Sequence, residues 1–542
     1  MTTDNVSRRG FLAGATGLAL AGVASMAGCA SNAADNNAVE EHESLASTQS
    51  FDKQADVVIV GAGMAALFAA MNASEEGATV LMLEKAPEAE AGGDSRCFGG
   101  IISNIVDADT QMQRAMYEMP KDVAVALSDN EADINEWFHE NTDLEWVTPG
   151  ICDGAGLAAW QAVMEIVGGY DSITIEYETP AKRLIKDEDG KTIIGVIAEK
   201  NGDEIRIGAN KGVILATGGY EANNKLLNRF QYPGMEIFTV GSPHVTGDGM
   251  IMALEAGAAI EQMGQSLDWF EFAYAVPSRQ YGTGITSRLW DTTDIATYGN
   301  SNTNLVNSRI FVDMNGDRFM DEIMKIVHNK ENDLPFMEIV NPSVEGDGKF
   351  QFFRLPFFMV CDQACIDSAP LGLVPNDASW EWTHTQGIYR WSDDNSAEID
   401  AGWLLKADTL EELATMMTAT TYMTDETRTM NAENFIATVK AYNENCAKGE
   451  DPFRLPETLV PLSQPPYYAI EMAPCAVYTI GGVRYDANSQ VVDWDDNPIP
   501  GLFAAGNIGQ GTVRPIGVTG CIARGRVAGT YVAKLPSRGE EA

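Results

Sequence analysis

The stretch Gly61-Ala62-Gly63-Met64-Ala65-Ala66 has the residue types and spacing of a phosphate cradle. The first glycine permits a tight turn, and the second lets the backbone approach a pyrophosphate. Ala66 is small enough at the third position for a helix to pack closely on a strand. A helix that opens at such a loop directs free N–H groups at the phosphate. Glu84 follows roughly 20 residues later, where a carboxylate can accept the hydroxyls of a ribose. Three further glycine segments extend this reading. Gly92 to Gly100 contains Gly93, Asp94, Ser95 and Gly99, and can wrap a pyrophosphate and the edge of a flavin. Ala216-Thr217-Gly218-Gly219 and Ala504-Ala505-Gly506-Asn507 each end a strand, where ligands bind in open sheets. Each segment alone reads as a turn; in combination they favour FAD over a smaller dinucleotide.

The elements that must position these residues are legible in outline. Asp56 to Val60 is a β-branched run without polar alternation, as a buried parallel strand requires. Met64 to Glu76 reads as a helix and Ala78 to Leu83 as the next strand, which completes a βαβ unit. Arg183 to Glu199 reads as a hairpin turning at Asp187-Glu188-Asp189-Gly190, and Lys211 to Ala216 as another buried strand. From about 269 to 472 the strand-then-glycine rhythm disappears, leaving aromatic and Met clusters with helical stretches at Thr409–Met417 and Ala432–Lys448. Alternation returns at Val483–Val492, followed by a strand at Gly501–Gly506 and a small-residue helix at Thr519–Ala533. The expected division is therefore 54–268 and 473–537 for cofactor binding, with 269–472 as an inserted domain.

The composition excludes several functions. The 542 residues carry 36 Lys plus Arg against 78 Asp plus Glu, a formal charge of −42. Nucleic acid and anionic lipid surfaces both need a cationic footprint, so neither is expected as a partner. The eight cysteines (Cys29, Cys97, Cys152, Cys361, Cys365, Cys446, Cys475 and Cys521) form no CxxC pair and no CxxCH site. No bound metal, cluster or haem is expected. Residues 1–29 read as an export signal: Ser7-Arg8-Arg9-Gly10-Phe11-Leu12 is a twin-arginine pattern before an apolar, small-residue run. Met26-Ala27-Gly28-Cys29 is similar to a lipoprotein cleavage box, so lipid attachment at Cys29 and simple cleavage are the two outcomes. Residues 30–53 read as a solvated linker.

With these segments in place, the chain resembles the flavoprotein family of fumarate reductase, succinate dehydrogenase, urocanate reductase and ketosteroid dehydrogenase. The resemblance spans about residues 54–535. It also rests on Gly247-Asp248-Gly249, Asp317-Arg318-Phe319-Met320-Asp321-Glu322, Gly481-Gly482 and Gly525-Arg526-Val527-Ala528-Gly529. It implies an α/β fold in which a Rossmann-like FAD-binding domain is interrupted by a mobile α+β capping domain. It implies FAD contacts at Ala62, Glu84, Ser95, Gly99, Gly100, Thr217, Gly218, Asp248, Gly506 and Asn507. Covalent members carry His at the position of Asp94, so FAD is expected to be non-covalent. The haem and FMN segments of some members are missing, which implies a separate electron donor such as a membrane or periplasmic cytochrome.

The catalytic positions depart from the fumarate pattern. The acid Arg that follows the Glu322 motif in that pattern is Ile326 here, with Lys325 adjacent and His328 nearby. A carboxylate-binding His before the Thr-x-Gly-Gly motif is replaced by Tyr478, and a second has no match around Glu271–Tyr274. Arg514 is similar in place to the family's C-terminal substrate Arg. The candidates are then Tyr478 to polarise a carbonyl or donate a proton, Arg514 to pair with a carboxylate or enolate oxygen, and Lys325 as an acid. The expected activity is hydride transfer from reduced flavin to the C=C bond of a small α,β-unsaturated carbonyl compound other than fumarate. A dehydrogenase running the opposite way and a flavin electron carrier without its own substrate are the alternatives.

Overall fold

The computed structural model describes residues 50–102, 107–114, 119–230, 237–263, 272–275, 282–284, 306–322, 339–340, 351–352, 354–372, 382, 386–420, 427–476, 478–509 and 517–538. The export signal, Cys29, Lys325 and Arg514 lie outside them. The elements that build the site are β1 (Lys53–Val60), α1 (Met64–Glu75), β2 (Val80–Leu83), α2 (Ala155–Val167), β3 (Ile173–Glu176), β4 (Ala181–Lys186), β5 (Ile193–Lys200), β6 (Asp203–Leu215), α3 (Asp248–Ala256), β7 (Gln490–Val492), β8 (Pro498–Ala504) and α4 (Gly517–Lys534).

These strands form one eight-stranded sheet in the order β7-β8-β6-β1-β2-β3, with β5 pairing on β6 and β4 on β5. The neighbours from β8 to β3 are parallel, and β7 is antiparallel to β8. Val57 to Val60 are buried on both faces, which explains why the run shows no polar alternation. The hairpin expected at Arg183–Glu199 is β4–β5. The strand expected to begin at Lys211 begins at Asp203, because its first half pairs antiparallel with β5 and only its second half enters the parallel sheet. Among the described residues, no helix is long and apolar enough to cross a membrane.

Helix α1 packs against α4 through backbone. A Cβ at Gly525 would lie 2.2 Å from the Ala65 carbonyl oxygen, and one at Gly529 would lie 2.2 Å from that of Ala69. The small residues of α4 are therefore required by α1. That contact holds the start of α1, and with it the glycine loop, against the sheet.

A second sheet occupies the stretch that showed no strand rhythm. Its order is Gly282–Gly284, Phe272–Ala275, Tyr467–Ala476, Phe357–Asp362, Arg309–Asp313, with Leu404–Ala407 and Phe238–Thr239 also pairing on Tyr467–Ala476. Phe357–Asp362 is buried at every position, so it too lacks alternation. The sheet reaches outside 269–472 at both ends, through Phe238–Thr239 and through Ala473 to Ala476. Its buried residues Phe311, Phe357 and Tyr468 share one apolar core with Val58, Leu83 and Val213 of the first sheet. The expected helices are present at Leu410–Met416 and Ala432–Lys448.

The Asp317–Glu322 motif anchors a buried ionic network. Arg318 donates from Nε to Glu322 Oε1 at 2.7 Å and from Nη2 to Oε2 at 2.9 Å, and its Nη1 reaches Asp451 Oδ2 at 2.7 Å. Arg454 Nε donates to Glu322 Oε2 at 2.7 Å. The motif is therefore structural as far as Glu322.

Candidate functional site

A large cleft lies at the carboxyl ends of β1, β2, β6 and β8, and the loop that follows each strand lines it. Its empty volume is about 1730 Å³ including the open mouth. Of the positions expected to touch the cofactor, Gly61, Ala62, Gly63, Glu84, Gly93, Asp94, Ser95, Gly99, Thr217, Gly218, Asp248, Gly506 and Asn507 all line it, and so does Tyr478.

The turn after β1 is tight because Gly61 has φ +110° and its missing Cβ would sit 2.4 Å from the Ala216 carbonyl oxygen. Strands β1 and β6 thus close on each other at the floor of the cleft. Glu84 is 7 % exposed. Its Oε2 accepts the Ala62 N–H at 3.0 Å and its Oε1 accepts the Ala86 N–H at 2.8 Å. Burial pushes the Glu84 carboxyl up, and these bonds together with His244 and Lys85 act against that rise. Each oxygen retains capacity to accept a further hydrogen bond, as a ribose-binding carboxylate needs.

Several side chains act differently from the simple expectation. Ser95 lines the cleft, but its Oγ accepts the Met64 N–H at 2.9 Å, so it caps the first turn of α1. The Asp248 carboxylate is held by Lys85 Nζ at 2.8 Å, and Thr246 Oγ1 bridges the same two side chains. Asp94 Oδ1 accepts the Ser242 N–H at 2.7 Å. Ala66 is fully buried within α1, in the close-packing role expected of a small third residue, and it does not line the cleft. Gly100 is not among the lining residues, although its neighbours Gly99 and Ile101 are; its missing Cβ would meet the Cys152 carbonyl oxygen at 2.8 Å.

Other residues were not singled out in the sequence. Lys85, His244, Thr246, Phe98 and Cys521 line the cleft, and Trp160 on α2 donates to the Ala62 carbonyl oxygen at 2.9 Å. Of these, Phe98 lies within the Gly92–Gly100 segment, and Lys85 and Thr246 adjoin a motif residue. His244 Nε2 lies 2.7 Å from Glu90 Oε2. Burial pushes the Cys521 thiol up to about 12.

The residues fit FAD. Thr217 Oγ1 is buried beside the cleft without a hydrogen-bond partner among the described residues, as an atom waiting for a ligand would be. The glycine loops leave bare backbone facing the same space, and Glu84 stands where the ribose is expected. Gly61–Gly63, Glu84, Thr217, Gly218, Gly506 and Asn507 would hold the cofactor.

Comparison with known proteins agrees. The family model described as FAD binding domain matches residues 145–517, and that of FAD dependent oxidoreductase matches 56–170. The chain is 25% identical to the urocanate reductase of Eggerthella lenta, over 89% of this chain and 75% of that protein. It is 27% identical to the vinyl phenol reductase of Lactiplantibacillus plantarum, over 84% of this chain and 90% of that protein. The crystal structure of 3-ketosteroid delta1-dehydrogenase from Sterolibacterium denitrificans shares the fold, with a TM-score of 0.66, 19% identity and coverage of 89% of this chain and 99% of that one. The glycine cleft, its ribose carboxylate and these matches have one reading: the chain belongs to the FAD binding domain family and is an FAD-dependent oxidoreductase.

Proposed function

We propose that this protein is an extracytoplasmic reductase that delivers hydride to the C=C bond of an α,β-unsaturated carbonyl compound other than fumarate. The observation that carries the reading is Tyr478, which the end of strand Tyr467–Ala476 brings to the wall of the FAD cleft. Two relatives named as reductases of small unsaturated compounds support the reaction class. Reduced FAD, when bound, supplies the hydride. Tyr478 Oη then donates a hydrogen bond to the substrate carbonyl and stabilises charge that develops on its oxygen. Arg514 pairs with a carboxylate or enolate oxygen of the substrate, and Lys325 is the further acid candidate. Neither cation lies in the described residues. The electrons come from a separate donor of the cytochrome class, and the twin-arginine segment supports an extracytoplasmic address for this chain. Because Tyr478 polarises the same carbonyl in either direction, the dehydrogenase reading is retained as the second one.

The test is an anaerobic screen in which dye-reduced holoprotein is mixed with unsaturated acids and enones while flavin absorbance is followed. Reoxidation by an enoate or enone supports the reading. Exchange with a cytochrome alone sinks it, and reduction of the oxidised enzyme by a saturated ketone favours the dehydrogenase. Tyr478→Phe and Arg514→Ala are each expected to lower kcat/KM by about 10²–10³, the cost of one lost oxyanion donor. If Lys325 is the acid, Lys325→Met is expected to lower kcat by about 10²-fold or more; a loss below about tenfold removes it from the candidates. If the first two variants keep full activity, the substrate-binding assignment fails.

Asp94 at the position of the covalent His supports non-covalent attachment. Acid precipitation is expected to release all the flavin into the supernatant. Flavin fluorescence that stays with the denatured polypeptide on a gel would overturn this.

A further inference from the structure

Asp94 lies in the short 3-10 turn Gly93–Arg96 and lines the FAD cleft. Glu221, two residues beyond Gly219, lies behind it and is 1 % exposed. The two carboxyl groups are buried next to each other, close enough that each shifts the other's proton affinity. Ser242 N–H donates to Asp94 Oδ1, and Thr479 Oγ1 donates to Glu221 Oε2 at 3.2 Å. Glu221 Oε1 has no donor facing it among the described residues. Nor does any described Lys or Arg form an ion pair with either group. Two adjacent buried carboxylates with no facing cation among the described residues cannot both stay ionised, so one of them carries a proton.

We propose that Asp94 and Glu221 share one proton while the flavin is oxidised and bind a second when it is reduced, so that this pair sets the pH dependence of flavin reduction. Burial and the neighbouring Asp94 charge both push Glu221 well up, which makes it the proton carrier. The pair then holds one negative charge beside the cleft. Two-electron reduction with uptake of one proton adds a negative charge to the bound cofactor. In a poorly solvated site that charge raises the proton affinity of the pair. The second proton comes from solvent and returns there on reoxidation; the electrons come from the external donor. The other titratable groups lining the cleft near the pair are Cys521 on α4, whose thiol the Asp94 charge helps keep neutral, His244 with Glu90 as its partner, and Tyr478.

The experiment is an anaerobic spectroelectrochemical titration of the holoprotein, with dithionite and mediator dyes and no organic substrate. A tenfold change in proton activity is worth about 30 mV for each proton coupled to two electrons. The midpoint potential is therefore expected to fall by about 60 mV per pH unit in the native protein and by about 30 mV in Glu221→Gln and Asp94→Asn. Equal slopes in all three proteins would overturn the proposal. So would a slope lost in His244→Gln and kept in Glu221→Gln. Should the variants lose FAD, the infrared spectrum of native holoprotein at neutral pH decides. A protonated-carboxyl stretch that grows on reduction is expected, and its absence refutes the pair. Neither readout depends on which compound is reduced, so its outcome is independent of the proposed reaction.

Discussion

Gly61→Ala is expected to yield protein with little or no bound flavin. The added Cβ would sit 2.4 Å from the Ala216 carbonyl oxygen, at a φ of +110° that alanine rarely adopts. The obstacle is backbone at Ala216, just past β6, so no rotamer change relieves it. Backbone strain and overpacking each cost about 1–3 kcal/mol. The loop must open, which separates the ends of β1 and β6 where the cofactor sits. Together these terms correspond to a loss of FAD affinity of roughly 100-fold or more. The measurement is the flavin-to-protein ratio after gel filtration, followed by FAD titration of the apoprotein. Gly77→Ala is the control, since its φ of +86° brings comparable backbone strain while a Cβ there would meet nothing within 4 Å. Affinity within threefold of native in Gly61→Ala would show that this loop is not the cradle.

Glu322→Ala is expected to lower stability by about 3–5 kcal/mol, the usual cost of removing one member of a buried ion pair. Both Glu322 oxygens are engaged, by Arg318 and by Arg454, and the Glu322 and Arg454 side chains are fully buried. Alanine leaves two guanidinium groups facing each other with Asp451 bound to one of them. Urea unfolding of the holoprotein measures the loss. Glu322→Gln keeps the acceptor and shape and is expected to lose less. A loss below about 1 kcal/mol in Glu322→Ala would mean that solvent reaches the network. Lys325 lies only three residues beyond Glu322 in the sequence, so a catalytic defect in a Glu322 variant would not by itself make Glu322 catalytic.

The sequence by itself determined the cofactor unit. Strand β1, the Gly61–Gly63 loop, α1, β2 and Glu84 are close neighbours along the chain. Backbone sterics and spacing encode such a unit locally, so its residues needed no fold to be recognised. The same holds for the β4–β5 hairpin, where Asp187 and Gly190 specify the turn. The family resemblance supplied the other cleft positions, and all but Ala66 and Gly100 line the cleft.

Only the tertiary structure decided what those residues bond to. Ser95 caps α1, Lys85 holds Asp248, and Asp94 faces Glu221 across more than a hundred residues of chain. Nothing in local spacing selects such partners, because they meet only after the strands have paired. The second sheet was hidden for a related reason. Strands such as Phe357–Asp362, buried on both faces, show no alternation until a neighbour such as Tyr467–Ala476 is known. The glycine loop was therefore readable from covalent neighbours alone, whereas the charge and proton arrangement around the flavin exists only where distant segments converge.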